Sequence, residues 1–143
     1  METNKISKTI KCRKGAAAVE FAIIAPLLFT IIFGIIEFGL LFFDKQVITN
    51  ASREGARYGI LWDTTRPTDA QIKARVAAYT SNNLVTFGTP GSPTTTILRS
   101  GSDPGSDLTV TVTYVYDFLL LPNFITSLSN VTTLRARTIM RLE

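Results

Sequence analysis

One stretch limits this chain more than any other: Lys14–Phe43, KGAAAVEFAIIAPLLFTIIFGIIEFGLLFF. From Ala16 onward it is apolar except for Glu20, Thr30 and Glu37, with Pro26 inside it. A helix rises ~1.5 Å per residue and the hydrocarbon core of a bilayer is ~30 Å thick, so about 20 apolar residues suffice to cross it. Ile, Leu and Phe occupy every side of this run, whereas a helix buried in a soluble protein normally keeps one polar face. The run therefore reads as a single membrane-spanning helix over 16–43. A secretory signal has an apolar core of only about 7–15 residues followed by a small-residue cleavage site. Thr49 and Ala51 mimic such a site, but the preceding run is too long for one.

Charge sets the orientation. Residues 1–15 carry Lys5, Lys8, Lys11, Arg13 and Lys14 against Glu2, which accounts for the whole formal charge of +4. The remainder of the chain is neutral, so the basic balance is no sign of nucleic-acid binding, which needs a basic face on a folded domain. Positive residues flanking a span stay in the cytoplasm. The expected topology is single-pass in the cytoplasmic (inner) membrane, with the leader inside and the C-terminal domain outside.

Glu20 is the costly residue. A carboxylate in a membrane segment costs at least ~2.5 kcal/mol on insertion scales. Either it reaches water at the inner headgroups, or it has a partner. Cutting the Gly15–Ala16 bond would give Ala16 an α-ammonium with a pKa of about 7.7. Ala16 and Glu20 are four residues apart and share a helix face, so the two ions can balance within one chain or between neighbours.

The order basic leader, Gly15, Ala-Ala-Ala-Val, Glu20, Phe21, apolar helix resembles the class III signal of type IV pilins and pseudopilins. The longer run GAAAVEFAIIAPLLFTIIFGIIEFG followed by ITNASREGARYGI resembles the TadE-like family, pseudopilins of the tight-adherence (Flp-type) pilus system. That resemblance implies cleavage between Gly15 and Ala16 by a prepilin peptidase, and a role for Glu20 and Phe21 in assembly. It implies as partners the membrane, other pseudopilins or the major pilin, and the pilus assembly platform.

Beyond the span the helix is expected to continue over 44–60, with Ala51, Gly55 and Gly59 as a small-residue stripe at intervals of four. Small residues let another element approach closely, either the chain's own sheet or a neighbouring subunit. Arg53 and Arg57 fall on a different face, and Glu54 can pair with Arg57. Glu37, near the outer end of the span, is expected to reach the headgroups or a partner. Pro26 predicts a kink or local unwinding, as a tolerated bend or a hinge.

Residues 61–143 read as a small exported α+β domain. Trp62–Pro67 breaks the helix. Thr68-Asp69-Ala70-Gln71 has capping-box form and opens a second helix over Thr68–Thr80, with Ile72, Val76 and Tyr79 on one face. Ser81–Pro93 is a turn-rich linker. The period then changes to two: a short strand Thr94–Arg99, a hairpin loop Gly101–Ser106, and a long strand alternating Leu108, Val110, Val112, Tyr114 and Tyr116 with threonines. Phe118–Ser129 is a short helix or a covering loop. Val131–Leu142 is the last strand, with Leu134, Ala136, Met140 and Leu142 on one face and Arg135, Arg137 and Arg141 on the other, as a solvated or a binding surface. The fold class expected is α+β: a long N-terminal transmembrane helix extending into a pilin-like domain with a second helix and three to four antiparallel strands.

Chemistry is sparse. The chain has no histidine, which removes Ser-His-Asp and Cys-His nucleophile pairs and the commonest zinc ligand. Cys12, the single cysteine, cannot form an intrachain disulfide. No phosphate-binding glycine loop is present. Asp103 and Asp107 flank the loop around Pro104 as turn residues or as calcium ligands. No cofactor, metal or catalytic residue is expected. A membrane-anchored envelope binding module or small enzyme is the alternative to a pilus assembly protein.

Overall fold

The computed structural model describes residues 4–61, 65–85, 91–118 and 131–142. They form helix α1 (Asn4–Ile60), helix α2 (Asp69–Asn83) and strands β1 (Thr94–Arg99), β2 (Asp107–Asp117) and β3 (Val131–Arg141). The chain divides into two compact units, Met1–Ile36 and Glu37–Glu143.

The first unit consists of α1 alone. Its side chains are exposed almost throughout from Gly15 to Ile36, as suits a helix whose surroundings are lipid. Within a bilayer a helix satisfies every backbone group internally, which is why an apolar run of this length folds as one. The helix runs unbroken through Pro26 instead of unwinding there. Thr30 Oγ1 donates to the Pro26 carbonyl at 2.8 Å, an i to i−4 bond common for hydroxyls in apolar helices.

The second unit is built on the remainder of α1. Here buried positions fall on one side: Glu37, Asp44, Ile48, Ala51, Ser52, Gly55 and Gly59. Against that side lies a three-stranded antiparallel sheet in the order β1-β2-β3. Leu108 pairs with Met140, Val110 with Thr138, Val112 with Ala136, and Tyr114 with Leu134. Period-two alternation turns these rows to one face. Leu108, Val110, Val112 and Tyr114 are all 0–1% exposed and make the core with Ile48, Ile72 and Val76. The opposite face carries Thr109, Thr111 and Thr113 along β2, flanked by exposed Leu98, Arg135, Arg137 and Ile139.

Helix α2 starts where its cap dictates. Gln71 N–H donates to Thr68 Oγ1, and Gln71 Oε1 accepts from the Thr68 backbone N–H, which closes the capping box. Its apolar stripe Ile72, Val76 and Thr80 is buried. The helix extends to Asn83, three residues beyond the expected Thr80. Leu84 N–H still bonds the Thr80 carbonyl, and Asn83 Nδ2 bonds that of Tyr79. Side-chain amides satisfying the last carbonyls lengthen a helix past its propensity signal.

The β1–β2 connection turns at Gly105, the one positive φ among the described residues, at 92°. A side chain there would be strained. Gly105 N–H donates to the Leu142 carbonyl, and Leu142 N–H to that of Ser106, which fastens the end of β3 to this loop. The expected element over Phe118–Ser129 lies outside the described residues from Leu119 onward. Phe118 itself meets Tyr116 edge-on, ring centroids 5.5 Å apart.

Candidate membrane and assembly site

Gly15, Ala16, Glu20 and Phe21 occupy consecutive turns of α1 and are all exposed. A helix puts residues four apart one above the other, so Ala16 and Glu20 share a face here. The Gly15–Ala16 bond lies within helical backbone, and nothing approaches within 4 Å of where a Gly15 side chain would stand. This end of the helix is therefore open to other molecules.

Gly55 and Gly59 sit where α1 crosses the second unit's core. A Cβ on Gly55 would stand 2.5 Å from Val76 Cγ2, and one on Gly59 2.4 Å from Leu108 Cδ2 and 2.7 Å from Ile72 Cδ1. Ala51 is wholly buried in the same stripe. The small residues thus admit α2 and β2 of the same chain.

Glu37 takes a different place from the one its sequence position suggests. It does not extend to headgroups: it is 3% exposed, enclosed within the second unit. Tyr116 Oη lies 3.5 Å from its backbone carbonyl, a long donor contact. Seven residues on, Asp44 lies on the same helical face and is wholly buried. Val85 N–H donates to Asp44 Oδ1 at 3.0 Å, while Oδ2 has no hydrogen-bond partner among the described residues. Burial raises the Asp44 pKa above its usual value, against the opposing pull of the Val85 N–H. Burial, with the charges of Glu37 and Asp44, pushes the Tyr116 phenol up to about 12.

The later part of α1 is also tied by charge. Glu54 accepts from Arg57 and Arg75, each pair at 2.9 Å. Arg75 comes from α2 and had no sequence signal. Hydrogen bonds from Arg57 and Arg75 hold the Glu54 carboxyl below its ordinary range. Lys45 Nζ donates to the Arg135 carbonyl of β3. Ser52 Oγ lies 2.7 Å from Thr138 Oγ1, and Arg99 Nε 2.9 Å from Asp69 Oδ1.

No cluster of three or more His, Cys, Asp or Glu side chains occurs among the described residues. Asp103 is a loop residue and Asp107 opens β2: Ser106 N–H donates to the Asp103 carbonyl, and Asp107 N–H to Ser100 Oγ.

Among the described residues one helix is long and apolar enough to cross a membrane, the stretch of α1 from Gly15 onward, and none of its most apolar window is buried. Residues 15–57 match the family model described as TadE-like protein. Over these residues the chain is similar to that family. The match begins on Gly15 and runs through Glu20, Glu37 and Gly55 to Arg57. Neither a curated protein nor a solved structure matches the chain. The matched residues lie almost wholly within the helix whose exposed apolar stretch is long enough to cross a membrane.

Proposed function

We propose that this chain is a minor pseudopilin, or pilus assembly protein, of a tight-adherence pilus. It inserts by α1 with the basic leader in the cytoplasm and the second unit outside. A prepilin peptidase removes residues 1–15 by cutting between Gly15 and Ala16. The single observation that carries this reading is that the family match starts on Gly15, with Glu20 one helical turn beyond Ala16.

The chemistry follows from what cleavage creates. An α-ammonium near pKa 7.7 is largely cationic at neutral pH. Set at the membrane boundary, it compensates the Glu20 carboxylate, whose burial in lipid is otherwise costly. When the amine belongs to an incoming subunit, the same pair aligns two helices. Phe21 adds an apolar contact beside it. Related pseudopilins or the major pilin are the partners, on the platform that assembles the pilus.

Co-expression with a prepilin peptidase, followed by N-terminal sequencing of the mature chain, tests the processing step. A new terminus at Ala16 is expected, and retained Met1 or Lys14 removes the claim. Glu20→Ala is expected to insert and be cut normally yet to reduce surface pili. Pili of normal number and stability in that strain would rule out the alignment role.

A further inference from the structure

The two sides of α1 become polar at different heights. On the covered side the first acid is Glu37, and Asp44 follows, both enclosed by the second unit. On the uncovered side Phe38, Phe42 and Phe43 are 49%, 64% and 48% exposed. That side turns polar only at Gln46, Asn50, Arg53 and Arg57. Leu40 and Leu41, between the two sides, are half-buried against the core. The last two turns of the apolar run therefore have protein on one side and an open phenyl surface on the other.

We infer that outer-leaflet lipid covers the face formed by Phe38, Phe42 and Phe43, while the exported domain encloses Glu37 and Asp44 on the opposite face of the same turns. This inference rests on the membrane reading of α1 and adds where the lipid ends. Continuity along the chain selects lipid as the occupant: the three phenylalanines close the apolar run that begins at Ala16. Ala16 to Ile36 is about 21 residues, or ~31 Å of helix, enough for the hydrocarbon core on the covered side. On the other side the apolar surface continues for about 10 Å more, into the interfacial layer. Glu37 thus lies on these turns without facing lipid, since it is only 3% exposed.

Single cysteines placed in a Cys12→Ser background test this on the full chain in vesicles of phosphatidylethanolamine and phosphatidylglycerol. Phe38→Cys, Phe42→Cys, Phe43→Cys, Gln46→Cys and Asn50→Cys carry a bimane label, with Ile31→Cys as the membrane reference. Lipids bearing a nitroxide in the upper acyl chain are the quencher. Expected are loss of most fluorescence at 38, 42 and 43, comparable to 31, and retention at 46 and 50. Bright labels at 38, 42 and 43 beside a dark one at 31 overturn this inference and leave the membrane reading intact. A bright label at 31 overturns both. Quenching at 38, 42 and 43 by a nitroxide on a second copy, and not by lipid, assigns the face to another subunit and also overturns it.

Discussion

Val85 donates its backbone N–H to Asp44 Oδ1 at 3.0 Å, and so joins the segment after α2 to the part of α1 that first enters the folded domain. The bond satisfies one carboxylate oxygen and leaves the other buried with no hydrogen bond among the described residues. A buried polar atom without a partner costs about 1–3 kcal/mol.

Asp44→Asn should therefore stabilise the protein at neutral pH. The amide oxygen keeps the Val85 bond, and the charge disappears. A gain of about 1 kcal/mol is expected, or several degrees in Tm for a domain of this size. The folded-state pKa is raised, so the folded state holds its proton more tightly than the unfolded one. Stability from this group is then full below the unfolded value of about 3.9 and is lost as pH rises through the folded pKa. The advantage of Asp44→Asn should accordingly vanish near pH 3.5. Thermal unfolding of the detergent-solubilised chain at both pH values reads this out.

Glu54 has the opposite sign. Arg57 and Arg75 depress its pKa, so its contribution is present above the unfolded value of about 4.3 and is lost as pH falls through the folded pKa. Both arginines are more than half exposed, at 58% and 55%, so water and salt weaken the pairs. Glu54→Gln should lower Tm slightly at neutral pH and low salt, and 1 M salt should abolish the difference.

Gly55→Ala and Gly59→Ala should each destabilise the second unit. Alanine is favoured over glycine in a helix by about 1 kcal/mol. Overpacking a tight core costs about 1–3 kcal/mol, and the new methyl groups would press on Val76, or on Leu108 and Ile72. Gly34→Ala is the control, since nothing lies within 4 Å of its Cβ position. A Tm equal to or slightly above that of the parent is expected for Gly34→Ala, and lowered values for the other two.

Thr68→Ala should weaken α2 by about 1 kcal/mol through loss of its cap. Amide hydrogen exchange is the direct measurement: protection should fall first in the opening turn after Asp69, with β2 and β3 little changed.

Much of the architecture was legible because local patterns were strong. The capping box at Thr68 and Gln71 gave the start of α2, and the Leu108–Tyr116 alternation gave β2. The arginines of β3 fall on the exposed face, as their spacing requires. The end of α2 was missed by three residues, because asparagine amides cap carbonyls that propensity alone leaves open. Arg75 as a second partner of Glu54 was not legible either: the two are 21 residues apart, and only packing of α2 on α1 joins them.

At the candidate site, Gly15, Ala16 and Glu20 stand out by order and spacing, which are local to one helix, and Phe21 joins them only through the family resemblance. Glu37 could not be placed the same way. Its position in the chain makes it a carboxylate at a lipid boundary, and its burial depends on Tyr116, 79 residues away.

The sequence by itself determined a greasy helix and the period of every described strand, because each follows from residues close together along the chain. Tertiary structure alone decided which side of that helix the sheet covers, and hence which acids are enclosed and which phenyl rings stay open. The reason is physical: burial depends on what packs from a distance, and the pattern within one helix does not record it.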